Sequence, residues 1–141
     1  MTTLAPIIIM EDDGDDQQLF KEVFEELQVK NIVRFYSSSK DVMSYLLTTL
    51  EKPLLILCAA NLPGMPGTEL KQLINNNEFL SNKTIPFVLI ASATNKKEVE
   101  KAYGLKVQGF FEKGYSLAVV RSTLKTIVDY WNLSKNPNSV F

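Results

Sequence analysis

Five short, mainly apolar runs punctuate this chain, and each is followed by a segment with helical periodicity. The runs are Ile7-Ile8-Ile9-Met10, Ile32 to Tyr36, Leu54 to Cys58, Ile85 to Ile90 and Gly109-Phe110-Phe111. Runs such as the first, apolar without alternation, fit strands covered on both faces. Between them, Leu19, Phe20, Val23, Phe24 and Leu27 make one helical stripe. Val42, Met43, Leu46, Leu47 and Leu50 make a second, and Leu70, Leu73 and Ile74 a third that weakens at Asn75-Asn76-Asn77. Asn95, with Glu98 three residues on, reads as a capping box opening a fourth helix that Gly104 ends. Ser116 caps a fifth, carrying Leu117, Val120, Leu124, Ile127, Val128 and Trp131 on one face. Strands alternating with helices predict an α/β domain, a doubly wound parallel sheet in three layers with right-handed crossovers.

A length of 141 residues suits one domain that buries roughly two thirds of its unfolded surface without a metal or disulfide. Residues 1–133 are expected to form that domain and 134–141 a flexible tail. The net charge of −1 disfavours sequence-independent nucleic-acid binding. Cys58 is the single cysteine, which excludes an internal disulfide, fits a cytoplasmic setting and reads as a small buried hydrophobe. No apolar run reaches the roughly 18 residues of a membrane span, and Met1 to Pro6 lacks the pattern of a signal peptide. There is no histidine, so no Ser-His-Asp or Cys-His unit exists within the chain.

Chemistry in an open parallel sheet sits beyond the carboxyl ends of the strands. The first strand delivers Glu11, Asp12 and Asp13 there; the third delivers Ala59 and Asn61; the fourth Ala91, Ser92 and Thr94; the fifth Lys113. Lys113 is expected to neutralise the acids of the first strand by direct pairing, while Asp15 and Asp16 favour the start of the following helix. Ala59 is a methyl group and can neither ionise nor accept a phosphoryl group. Pro63, Gly64, Pro66 and Gly67 mark the loop after it.

With these residues in place, the chain resembles the receiver domains of bacterial two-component response regulators over residues 5–132. The resemblance rests on Ile-Ile-Met-Glu-Asp-Asp at 8–13, Asn-Leu-Pro-Gly-Met-Pro-Gly at 61–67, Ile-Pro-Phe-Val-Leu-Ile at 85–90 and Gly-Phe-Phe-Glu-Lys at 109–113. It implies the flavodoxin-like (CheY-like) (βα)5 fold with strand order 2-1-3-4-5. It also implies a phosphoacceptor aspartate two residues before Asn61, where this chain has Ala59. Glu11, Asp12 and the backbone carbonyl of Asn61 take the places of Mg²⁺ ligands, Lys113 that of the phosphoryl-pairing lysine, and Phe110 that of the switching aromatic. Ala91, followed by Ser92, stands where the family has a Ser or Thr, and Gly114 where it has a Pro preceded by a cis peptide bond.

Departures at Ala59, Ala91 and Gly114 imply a coordinated loss of phosphorylation, with Mg²⁺ weak or vestigial and no cofactor required. Ser92 and Thr94 lack an adjacent base and are poor alternative acceptors. The chain is therefore expected to be a non-enzymatic pseudo-receiver acting through protein–protein interaction, with a sensor kinase or another signalling protein as partner. Phe110 and Tyr115 form its expected partner face, Phe111 and Trp131 belong to the core, and the protein is expected to be a monomer or weak homodimer without an attached output domain. An orthodox phosphorelay regulator with an unidentified acceptor, or a small-ligand-binding flavodoxin-like domain, are the alternatives. A nucleotide-binding domain is disfavoured, because no Gly-x-Gly-x-x-Gly or Walker A loop follows the first strand.

Overall fold

The computed structural model describes residues 4–62 and 64–138. Its elements, in chain order, are β1 (Ile7–Met10), α1 (Gly14–Glu26), β2 (Val33–Tyr36), α2 (Ser39–Thr48), β3 (Leu55–Ala59), α3 (Gly67–Asn76), α4 (Glu78–Lys83), β4 (Phe87–Ala91), α5 (Lys96–Gly104), β5 (Gly109–Glu112) and α6 (Leu117–Leu133). All strand pairs are parallel, and the sheet order is β2-β1-β3-β4-β5. This is the doubly wound, flavodoxin-like arrangement that the sequence implied. Its switch point lies between β1 and β3, which is where an open sheet of this kind leaves a crevice.

The three central strands, β1, β3 and β4, are apolar and buried throughout because each face of the sheet is covered, whereas the edge strands β2 and β5 carry Arg34 and Glu112. Alternate side chains point to opposite faces. Ile7, Ile9, Leu55, Leu57, Val88 and Ile90 pack with Phe20, Val23, Phe24, Leu124, Ile127 and Trp131 from α1 and α6. Ile8, Met10, Ile56, Cys58, Phe87 and Leu89 pack with Val42, Leu46, Leu70, Ile74, Leu80 and Ala102 on the other face. Cys58 is fully buried, and burial pushes its thiol well above the ordinary value, so it is an inert core group. Phe111 is partly buried against the first of these cores and Trp131 lies within it.

The chain carries six helices among the described residues rather than five. The third helical segment splits at Asn77, whose extended backbone ends α3 and whose side chain accepts from the Leu80 N–H at 3.0 Å to open α4. Leu80 is buried and fixes this short helix to the sheet. Several stripe residues are also more exposed than their spacing suggests. α2 stops at Thr48, so Leu50 falls outside the helical period and is 99% exposed. Leu47, Leu73 and Leu117 lie toward the edges of their stripes and are exposed.

Asn95 and Ser116 cap their helices as predicted, with one change at Asn95. Asp13, Ser38, Asn95 and Ser116 all cap through their side chains. The Glu98 carboxylate, however, accepts from the Thr94 hydroxyl at 3.0 Å, so the capping box is only half formed. Gly104 is the last residue of α5, and the left-handed residue comes two positions later, at Lys106 with φ of 68°. After α6 the chain turns back, and the Asn138 side-chain amide donates to the Lys83 carbonyl at 3.2 Å. Ser139 to Phe141 of the expected tail, Met1 to Thr3 and Pro63 lie outside the described residues. No helix among the described residues is long and apolar enough to cross a membrane.

Candidate functional site

A cavity of about 230 Å³ opens at the carboxyl edge of the sheet, lined by Glu11, Asp12, Asp13, Asp16, Ala59, Asn61, Ala91, Ser92 and Lys113 among others. The strand ends predicted to converge do so. Register places Met10 beside Cys58, Ala59 beside Ile90, and Ala91 beside Glu112. The Lys113 N–H donates to the Ala91 carbonyl at 2.7 Å, carrying the end of β5 to the cavity wall.

Glu11 is the deepest acid, 6% exposed. Its backbone continues the sheet by donating to the Tyr36 carbonyl at 3.0 Å, and its Oε2 accepts from the Asp13 N–H at 3.2 Å. Burial raises its carboxyl to about 7, reinforced by the neighbouring acids Asp16 and Asp12. Asp13 faces the start of α1, where its Oδ1 accepts from the N–H groups of Asp15 (2.8 Å) and Asp16 (3.2 Å). Gln17 fixes this turn from the side: its amide donates to the Glu11 carbonyl at 2.5 Å and to Ser37 Oγ at 3.2 Å.

The principal correction concerns Lys113. It does not pair with Glu11, Asp12 or Asp13; its Nζ lies 2.9 Å from Asp16 Oδ1, with both side chains mostly shielded from solvent. Asp16 occupies the same helical turn as its cap Asp13, three residues on, and that spacing directs it over the cavity. Sequence reasoning assigned Asp16 to the helix dipole alone; the i,i+3 relation to Asp13 was the available signal. Gln17 and Glu112, whose Oε1 accepts from the Thr94 N–H at 3.3 Å, were also missed. Gln17 carries no motif, and Glu112 lies inside the Gly-Phe-Phe-Glu-Lys stretch without a role assigned to it.

Ala59 and Ala91 are both buried and present methyl groups to the cavity, while Ser92 and Asn61 lie on its exposed rim. Phe110 is half-buried, packed toward the core on the α2 to α5 side of the sheet, and Tyr115 is 91% exposed. Gly114 has φ of +88° in the left-handed region that favours glycine. No peptide bond among the described residues is cis.

The residues present do not fit the Mg²⁺ site that the resemblance implied at Glu11, Asp12 and Asn61. Ala59 supplies no oxygen. The Asp13 carboxylate caps α1, and that of Asp16 is taken by Lys113. Burial pushes the Glu11 carboxyl up toward neutrality, which disfavours the ionised oxygens that a hard cation takes. Among the described residues no group of three or more His, Cys, Asp and Glu side chains is arranged to hold a metal ion.

A five-stranded parallel sheet in this order, with an acidic crevice at its switch point, is the arrangement expected of a receiver-type domain. The model of the response regulator receiver domain matches residues 7–125, and the chain belongs to that family. It is 27% identical over 130 residues to the response regulator Rcp1 of Synechocystis, covering 89% of this chain and 87% of that protein. It is 25% identical over 129 residues to the probable methanogenesis regulatory protein FilR2 of Methanothrix harundinacea, covering 89% and 82%. The crystal structure of the phosphorylated cyanobacterial phytochrome response regulator RcpA superposes with a TM-score of 0.82 at 26% identity, covering 94% of this chain and 98% of that one.

Proposed function

We infer that this receiver domain signals without phosphorylation, by binding another signalling protein, and has no enzymatic activity of its own. The observation that carries this reading is Ala59: the strand end that would present an acceptor carboxylate presents a methyl group to the cavity. Lys113 supports it, because the cation that would meet a phosphoryl group is already neutralised by Asp16. The third support is Ala91, which offers no hydroxyl to sense a modified neighbour. Output then depends on surfaces rather than on a transient acyl phosphate. Phe110 and the exposed Tyr115 mark the partner face, with aromatic groups of the kind enriched at interfaces. A sensor kinase or another signalling protein is the class of partner, and the protein works as a monomer or weak homodimer in the cytoplasm.

Incubation with acetyl phosphate and Mg²⁺, followed by intact-mass measurement, tests the reading. The mass is expected to stay unchanged. A stable gain of one phosphoryl group would favour the orthodox phosphorelay regulator, using an acceptor other than residue 59.

A further inference from the structure

We propose that the end of β5 is a two-sided clasp: Lys113 binds Asp16 of α1 while Glu112 binds the β4–α5 loop at Thr94, and this pair of ties fixes that loop and the β5–α6 turn in one conformation without a phosphoryl group. The proposal rests on the phosphorylation-independent reading above and names the contact that replaces the modification.

Consecutive residues of a strand project to opposite sides. Glu112, the last residue of β5, and Lys113, which follows it with its N–H still on the Ala91 carbonyl, reach different elements in this way. The Glu112 carboxylate accepts from the Thr94 N–H at 3.3 Å, and Thr94 in turn donates its hydroxyl to Glu98 in the first turn of α5. Lys113 crosses the cavity to Asp16 at 2.9 Å. β5 is an edge strand, attached to the sheet only through β4. Its end is therefore held by the sheet from one side only, and side-chain ties there bear directly on its position.

Two further features direct the motion that the clasp prevents. Gly114 turns the chain at φ +88°, and a Cβ at that position would meet Val119 Cβ at 2.9 Å, so the turn is packed closely on the start of α6. Arg121 of α6 donates its Nε to Glu26 of α1 at 2.9 Å. α1 and α6 are thus linked directly at one level and through Asp16–Lys113 at another. Loss of the upper link frees the β5–α6 turn and, through Glu112, the β4–α5 loop, while the lower link holds the helices together. The ion pair lies between largely shielded side chains, so removing one partner leaves the other unpaired in a poorly hydrated place.

Amide hydrogen exchange followed by NMR on the full chain distinguishes a clasp from a local ion pair. Asp16→Asn is expected to raise exchange of the Thr94 and Lys113 amides about tenfold, the size of a typical coupling between linked sites. Asp16→Glu, which keeps the charge, is expected to hold both near the wild-type rate. Faster exchange confined to residues 14–17, with Thr94 unmoved, overturns the proposal. So does Asp16→Glu behaving like Asp16→Asn. If Asp16→Asn loses protection throughout, Lys113→Gln is read by the same Thr94 criterion. Intact mass of the same wild-type sample after acetyl phosphate and Mg²⁺ separates the two levels. A phosphoryl gain removes the underlying reading, whereas an unchanged mass with an unresponsive Thr94 amide removes the clasp alone.

Discussion

Gly67 stands directly against Ala59: a Cβ at residue 67 would lie 2.5 Å from the Ala59 carbonyl oxygen and 2.8 Å from Leu89 Cδ2. The Gly67 N–H also donates to the Ala60 carbonyl at 2.8 Å, so the loop after β3 folds back onto the strand it leaves. This contact seats the first turn of α3 against the end of β3 and accounts for the glycine that ends the loop motif.

Gly67→Ala is therefore expected to destabilise the fold by about 1–3 kcal/mol, the usual range for overpacking a rigid site. The obstruction is backbone on one side and a core leucine on the other, so relief by a rotamer change is closed off. Urea unfolding followed by circular dichroism measures the loss; a variant as stable as the wild type would show that the loop can withdraw from β3.

Ala59→Asp adds a carboxylate beside Asp12 and Glu11 and within the reach of Lys113. The added charge gives the cavity the oxygen it lacks, so Mg²⁺ binding is expected to appear by titration calorimetry where the wild type shows little heat. It also places a competitor to Asp16 for Lys113. Absence of any Mg²⁺ response in the variant would mean that the acidic loop has lost the geometry as well as the ligand.

Glu11 gives the protein a defined pH dependence. Its carboxyl titrates near 7 in the folded state, against an ordinary value of 4.5. Between these values the folded chain holds a proton that the unfolded chain has released, so this group's contribution to stability falls as pH rises from about 4.5 to 7 and is flat above. Glu11→Gln keeps the hydrogen-bonding shape and removes the titration. The variant is expected to gain about 1–3 kcal/mol on the wild type at pH 8 and to lose that advantage near pH 4. Thermal melts across this range provide the comparison, and a difference that does not vary with pH would assign the proton elsewhere.

Asn31 and Asn132 exchange side-chain hydrogen bonds in both directions, at 3.1 and 2.8 Å, and Asn31 also donates to the Ala5 carbonyl at 2.7 Å. Asn31 is buried, so Asn132→Ala leaves its amide oxygen without this donor. A loss of about 1–3 kcal/mol is expected in urea unfolding. Retention of full stability would indicate that water replaces the lost amide.

The sheet was legible because its physical signal is local. A strand covered on both faces must be apolar along its length, and Ile7 to Met10 carries that requirement in four consecutive residues. Caps were legible for the same reason, since Asp13, Ser38, Asn95 and Ser116 each bond to an N–H two or three residues away. The break at Asn77 was harder to read. Three asparagines indicate a weak helix end, but whether the chain stops or restarts depends on Leu80 finding a pocket in the core.

By itself, the sequence determined the alternating architecture, the strand ends that meet, and the chemical fact that the third of them bears a methyl group at Ala59. Those properties follow from residue type and short spacing. Only the tertiary structure decided where the cation of Lys113 goes, because Asp16 lies 97 positions away along the chain and competes with Glu11, Asp12 and Asp13 at much the same separation. Two of the competitors are set by the fold: Asp13 is bound to the helix start and burial pushes the Glu11 carboxyl up toward neutrality, and both conditions arise only when the chain is folded.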